Sequence, residues 1–179
     1  MKLEEIIRKI QPADTMWIEK ARERTAQLAI PPRALGRLPD ISERLCGITR
    51  SLTPDVTRRA ILVMAGDHGV AAEGVSAFPQ EVTGEMVKNF IRGGAGINVL
   101  ARWVGAEVIV VDMGIIPDVD VSSLEGKDSF RLSKVGRGTA NLAKGPAMTR
   151  EQAESAILAG FELARSEERR VGKECRSRW

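Results

Sequence analysis

Tyrosine is absent from this 179-residue chain, histidine occurs once, and aromatic residues make up only 4% of it. So few rings leave no stacking platform of the kind single-strand and RNA-binding modules use. A lone His68 excludes multi-histidine zinc centres and any His-paired nucleophile that does not use that residue. The two cysteines, Cys46 and Cys175, lie far apart and form no CxxC pair, which argues against zinc and against a disulfide framework. The amino terminus, MKLEEIIRKI, alternates charged and apolar residues, and no run of 18 apolar residues occurs anywhere. Neither a signal peptide nor a membrane span is expected, and a cytoplasmic location is.

What remains is a globular composition, 43% hydrophobic and 28% charged. The formal net charge of +3 invites a nucleic-acid partner until the charges are located. The last fourteen residues hold five basic and three acidic side chains, leaving 22 basic against 21 acidic in the body. No basic stripe there could track phosphates, so no nucleic-acid partner is expected.

Leu3, Ile6, Ile7 and Ile10 repeat at helical spacing, and Asp14 is placed to cap a second helix carrying Trp17, Ile18, Ala21 and Leu28. These two predict a helical hairpin, followed by a weaker helix over 35–48 interrupted at Pro39 and capped by Asp40 or Ser42. The pattern then changes. Residues 60–65 and 108–111 are short continuous apolar runs ending in Gly-Asp-His-Gly and Asp-Met-Gly, which predicts strands buried on both faces. Helical stretches over 80–92 and 97–104 separate them, giving the strand, helix, strand rhythm of a parallel sheet. Right-handed crossovers place both glycine loops at the carboxyl edge of the sheet, where open α/β folds bind ligands. Residues 129–135 read as a short third strand. Thr149 and Gln152 form a capping box that opens a helix with Ala153, Ala156, Ile157, Gly160, Phe161 and Ala164 on its expected buried face.

Asp67 and His68 end the first strand and have two readings: they satisfy loop backbone groups at a tight turn, or they face a ligand. Ser76, Phe78 and Gln80 precede the helix carrying Met86. Apolar faces with a few orienting polar groups suit a flat aromatic ligand, although core packing is the commoner fate of Phe and Met. Gly138, Thr139 and Asn141, with Arg137 and Lys144 beside them, could hold a phosphate or a ribose on glycine-freed amides, or simply form a structural loop. A metal-dependent hydrolase built on Asp67, His68 and Asp112 is the weakest reading. No metal site and no cofactor is expected.

Taken together, Leu35-Gly36-Arg37-Leu38, Gly66-Asp67-His68-Gly69-Val70, Glu73-Gly74-Val75, Asn98-Val99-Leu100-Ala101, Val111-Asp112-Met113-Gly114 and Gly145-Pro146-Ala147-Met148 resemble one family. It is the nicotinate-nucleotide:dimethylbenzimidazole phosphoribosyltransferase family of cobalamin synthesis. The resemblance implies a cytoplasmic homodimeric enzyme that moves phosphoribose from nicotinate mononucleotide to 5,6-dimethylbenzimidazole, giving α-ribazole 5′-phosphate. It places Phe78 and Met86 in the benzimidazole pocket, with apolar side chains where some members have polar ones, and puts Asp67, His68, Ser76 and Gln80 at its rim. The family's general base is a glutamate downstream of the matching residues, so no catalytic residue is assigned in this chain.

The expected fold is therefore α/β, a parallel sheet of the doubly wound type with a small helical subdomain formed by the N-terminal helices. It is expected to be incomplete relative to the family and to represent its N-terminal half. The expected divisions are a helical segment over 1–50, a substrate-binding portion over 51–165 and a tail over 166–179. That tail, which lacks periodicity and includes Glu174, reads as foreign to the family and without ordered structure. A catalytically silent small-molecule-binding module is the alternative to an enzyme portion.

Overall fold

The helical and strand periodicities are realised as six helices and three strands among the described residues. The computed structural model describes residues 2–31 and 34–176, the last ten in backbone alone. Two compact units divide the chain, Met1–Thr57 and Arg58–Trp179.

The first unit holds α1 (Leu3–Lys9), α2 (Thr15–Ala26) and α3 (Leu38–Thr49). Asp14 caps α2, its Oδ1 accepting from the Met16 amide at 3.0 Å. The expected hairpin of the first two helices is corrected, because α2 packs chiefly on α3. Gly47 permits the close approach: a Cβ there would stand 2.6 Å from Ile18 Cγ1. Pro39 does not interrupt α3 but lies in its first turn, where the missing N–H has no intrahelical partner to lose. The cap is accordingly Arg37, not Asp40 or Ser42.

In the second unit β1 (Arg59–Gly66), β2 (Ala106–Gly114) and β3 (Phe130–Leu132) form a parallel sheet in the order β1-β2-β3. Helices α4 (Val82–Ile91) and α5 (Gly96–Val104) make the crossover between β1 and β2. Ile109, Val110 and Val111 of the middle strand are fully buried. Neighbouring side chains on a strand point to opposite faces, so both faces of β2 are covered, as its uninterrupted apolar run predicts. The same expectation for β1 is corrected: it pairs only with β2, Arg59, Ala60 and Met64 are exposed and the rest of the strand is half-buried, because nothing among the described residues packs fully over it. On one face Val110 and Ile115 pack with Val87 and Ile91 of α4. Asn98 joins the two helices: its Oδ1 accepts from the Ala95 amide at 3.2 Å and its Nδ2 donates to the Phe90 carbonyl at 3.0 Å.

The register brings Gly66 opposite Gly114 at the carboxyl edge. Beyond β3 the chain continues along β2, the amides of Ser133, Val135 and Gly138 donating to the carbonyls of Asp112, Met113 and Gly114, each at 2.9 Å. It then crosses to β1, where the Thr139 amide donates to the Asp67 carbonyl at 3.0 Å and the Gly69 amide donates to the Thr139 carbonyl at 3.1 Å. This crossing needs a residue without a side chain. A Cβ on Gly69 would lie 2.7 Å from the Thr139 carbonyl oxygen and from the Ala140 carbonyl carbon.

Helix α6 (Arg150–Arg176) begins with the predicted capping box. The Thr149 amide donates to Gln152 Oε1 at 2.9 Å and the Gln152 amide donates to Thr149 Oγ1 at 3.2 Å. Its expected buried face is corrected: Ile157 is 54% exposed, Ala164 is exposed, and Ala153, Ala156, Gly160 and Phe161 are half-buried. No element among the described residues packs extensively over that stripe. The helical backbone also runs past residue 165, where the periodicity stops, through Arg176. The packing expected of the tail concerns side chains outside the described residues.

Two substitutions follow from this architecture. Ile115→Ala empties a fully buried position at the sheet edge and is expected to lower unfolding free energy by about 2–5 kcal/mol in a denaturant titration. Gly69→Ala forces backbone apart at the crossing and is expected to cost about 1–3 kcal/mol, with amide exchange accelerated first around residues 138–141.

Candidate functional site

The strand ends and the loops that follow them enclose two cavities, and Gly66, Asp67 and His68 line both. The first, about 350 Å³, is walled by the segment 75–86. All six residues assigned to the base pocket from the sequence (Asp67, His68, Ser76, Phe78, Gln80 and Met86) line it. Phe78 is 71% exposed and Met86 37%, so the apolar wall is open to solvent in this chain.

The local chemistry explains how these residues come together. Ser76 Oγ accepts from the Phe78 amide at 3.2 Å and donates to the Phe78 carbonyl at 2.8 Å, which folds the 76–78 turn back on itself. Gln80 Nε2 donates to the His68 carbonyl at 2.8 Å and fastens this turn to the end of β1. Asp67 is 3% exposed. Its amide donates to the Gly114 carbonyl at 3.0 Å, and its Oδ2 accepts from the Ile116 amide at 2.8 Å.

The second cavity, about 140 Å³, lies between the strand ends and the start of α6. Gly138 and Thr139 line it, and Asn141 does not. The amides expected to be free for an anion are spent within the chain: Gly138 donates to Gly114, Thr139 to Asp67, and Ala140 to the Ala147 carbonyl at 2.8 Å. Gly138 makes its turn at φ +75°, a conformation that favours glycine. The two basic residues are spent as well. Arg137 donates to the Ile116 carbonyl at 2.8 Å and to Asp118 Oδ2 at 2.7 Å, while Lys144 pairs with Glu73 at 2.9 Å. Met113, Met148 and Gln152 also line this cavity and were not assigned to any site from the sequence. Gln152 reads there only as a helix cap, and the methionines stand beside the strand-end and Gly-Pro motifs that could have flagged them.

Asp112, the strand-end carboxylate read as facing a site, is buried at 1% exposure and turns the chain after β2. Its Oδ1 accepts from the amides of Gly114 at 3.0 Å and Ile115 at 2.9 Å, and its Oδ2 lies 3.3 Å from Lys134 Nζ. Among the described residues no group of three His, Cys, Asp or Glu side chains is arranged to hold a metal ion.

Glu73 ties the rim of the first cavity to the 139–145 loop. Its Oε1 accepts from Asn141 Nδ2 at 2.6 Å and pairs with Lys144. The Lys144 and then the Asn141 hydrogen bonds hold its carboxyl below the ordinary value of 4.5, against the opposing effect of desolvation. A carboxyl with a lower pKa when folded stabilises the fold above its unfolded pKa, and that contribution is lost as pH falls through the lowered value. Amide exchange around Asn141 and Ala143, measured from pH 6 down through about 4 and below, is expected to accelerate in the wild type beyond the intrinsic rate. In Glu73→Gln the acid-dependent increment should vanish, leaving protection lower at pH 6 and nearly flat with pH.

A phosphoribosyltransferase family model matches residues 10–174, a span that passes the expected boundary at 165. The nicotinate-nucleotide–dimethylbenzimidazole phosphoribosyltransferase of Geotalea uraniireducens is 49% identical over 162 residues, 90% of this chain and 45% of that protein. Its counterpart in Syntrophotalea carbinolica is 52% identical over 158 residues, 88% of this chain and 44% of that protein. The crystal structure of CobT from Thermus thermophilus superposes with a TM-score of 0.75 at 46% identity, covering 87% of this chain and 45% of that one. The chain thus spans about half the length of the relatives it matches. With the α/β fold, the ordered strand-end motifs and these matches in agreement, the chain belongs to the nicotinate-nucleotide–dimethylbenzimidazole phosphoribosyltransferase family.

Proposed function

We propose that this chain is the N-terminal portion of a cytoplasmic, homodimeric enzyme that transfers phosphoribose from nicotinate mononucleotide to 5,6-dimethylbenzimidazole. The observation that carries this reading is the convergence of Asp67, His68, Ser76, Phe78, Gln80 and Met86 on one cavity at the carboxyl edge of a parallel sheet. Phe78 and Met86 supply apolar faces for the fused rings, and the second cavity across the Gly66–His68 wall lies on the side from which a sugar would approach. The Gly138 and Thr139 amides are already bonded, and the Thr139 hydroxyl donates to the Ala140 carbonyl and accepts from the Gly69 amide, so a ribose or phosphate there would meet the surface of these residues and not free donors. Asn141 does not line the second cavity and bonds instead to Glu73 and to the Ala143 amide. No helix among the described residues is long and apolar enough to cross a membrane.

In the reaction an azole nitrogen forms a bond to C1′ of the ribose, the bond from C1′ to the nicotinate nitrogen breaks, and the azole proton passes to a base. The one carboxylate lining the first cavity is Asp67, with Oδ2 already bonded to the Ile116 amide. His68 also lines the cavity, but the family's general base is a glutamate downstream of the matching residues, and removing a general base typically slows such a step by about 10²- to 10⁴-fold. With much of the nucleotide site also supplied elsewhere in the family, the isolated chain is expected to bind benzimidazoles weakly, with Kd on the order of 1 mM.

Nicotinate release from nicotinate mononucleotide and 5,6-dimethylbenzimidazole is the assay. The expected result is a rate equal to buffer for the chain alone and measurable turnover after addition of the complementary half of a close relative. Turnover by the chain alone would place the base on a side chain within it, Asp67 and His68 being the two titratable groups that line the cavity. Benzimidazole binding with no turnover under either condition would favour a silent binding module.

A further inference from the structure

The polar groups of the second cavity are nearly all committed within the chain. The amides of Gly138 and Thr139 donate to Gly114 and Asp67, and the Thr139 hydroxyl donates to the Ala140 carbonyl at 3.1 Å and accepts from the Gly69 amide at 3.3 Å. Arg137 and Lys144 are held by Asp118 and Glu73, and no Lys or Arg lines the cavity. Met113, Val135 and Met148 add apolar faces to the wall. Gln152 is different. It lies one turn before Ala156 on α6 and both line the cavity, so this face of the helix is turned toward it. An N–H can be accepted only by the amide oxygen, so the 2.9 Å bond from Thr149 fixes Oε1 on the helix cap and leaves the NH₂ at the other end. Nε2 stands over Gly136, 3.6 Å from where a Cβ on that cavity-lining residue would lie, and it has no hydrogen-bond partner among the described residues. The His68 ring can act in either sense, which leaves Gln152 as the donor of fixed direction.

We infer that Gln152 is a specificity-determining residue of the second cavity: its Nε2 donates to the carboxylate of a flat pyridine ring that lies against the methionine-lined wall. This rests on the phosphoribosyltransferase reading, in which nicotinate leaves C1′, and adds to it the side chain that reads the leaving ring. One directed donor on an apolar wall matches a planar ring with a single polar substituent. A phosphate needs a cation or several donors, and a ribose needs partners for several hydroxyls; the cavity offers neither. The Gly66–His68 wall shared by the two cavities then separates the incoming azole from the departing pyridine. The azole proton takes no part in the Gln152 contact, so its passage to the base is untouched.

The test titrates the full 179-residue chain with nicotinate and with pyridine, which keeps the ring but lacks the acceptor, and follows amide chemical shifts. Nicotinate is expected to bind roughly tenfold more tightly, the scale of one hydrogen bond to a charged acceptor, with shifts at Met113, Gly136 and Gly138. Gln152→Glu keeps an oxygen for the Thr149 amide, so the cap survives, and replaces the donor by an acceptor. The preference should vanish in that variant, with pyridine affinity little changed and the Thr149 amide still protected from exchange. Thr149→Ala weakens the cap but leaves the donor, and should keep the preference. Equal affinities in the wild type, a preference that survives in Gln152→Glu, or an equal loss in Thr149→Ala would overturn the assignment, as would displacement of nicotinate by an equal concentration of inorganic phosphate. Benzimidazole reports the first cavity separately. If it shifts residues 76–86 while nicotinate leaves 113–114 and 135–138 undisturbed, this inference fails and the base-pocket reading stands.

Discussion

Asp67 is the knot on which the carboxyl edge of the sheet depends. Its amide bonds to Gly114 at the end of β2, its carbonyl takes the Thr139 amide, and its Oδ2 takes the Ile116 amide. One residue thus fixes the end of β1 to two separate stretches of chain, one at 114–116 and one at 139. Low exposure strengthens each of these bonds, and the same low exposure makes the unpartnered Oδ1 costly to keep, since a buried acceptor without a donor forfeits its hydration. A residue that is both the main fastening and the least satisfied polar group is where local stability and recognition meet, as is usual for sites held at some cost in strain.

From that knot the two cavities acquire different characters. The second is bounded by loop backbone that has spent its donors on sheet and strand ends, so its shape is rigid and its polarity low. The first is bounded by a turn held through a few side-chain contacts, with a wide apolar mouth. The first cavity is therefore backed by the sheet edge and open in front, in a chain that spans about half the length of its relatives.

The sequence made the sheet legible because continuous apolar runs of six and four residues, each closed by a glycine-containing turn, leave few alternatives to parallel strands, although only the central one is buried. Asp14 and the Thr149–Gln152 pair were legible for a similar reason, since caps depend on neighbours in the chain. What failed was non-local. The spacing of α1 and α2 could not say that α2 would choose α3, a choice resting on the absent side chain at Gly47. The stripe on α6 was identified correctly as apolar, but burial needs a partner, and periodicity names none. At Gly138 and Thr139 the sequence showed flexible backbone and suggested free amides, whereas hydrogen bonds to residues some 25 and 70 positions earlier had claimed them. The six residues that line the first cavity were gathered by resemblance, yet which of their atoms remain unbonded shows only in the structure.

The meeting of Gly69 with Thr139 joins residues 70 positions apart, and Arg59 to Gly66 wait some 47 positions for their partners on β2. Such pairings impose a schedule on a chain made from its amino end. Contacts of this range carry a loop-closure cost that local helices do not, so the first unit and the crossover helices can take shape while β1 is still an unpaired apolar ribbon. The second cavity, which needs residues 135–156, is then the last part of the sheet edge to close. During synthesis the interval between the emergence of residue 66 and of residue 114 is the period in which β1 lacks its partner strand and is exposed to other chains. Because elongation proceeds at about 5–20 residues per second, that window lasts several seconds, long enough for a chaperone to matter.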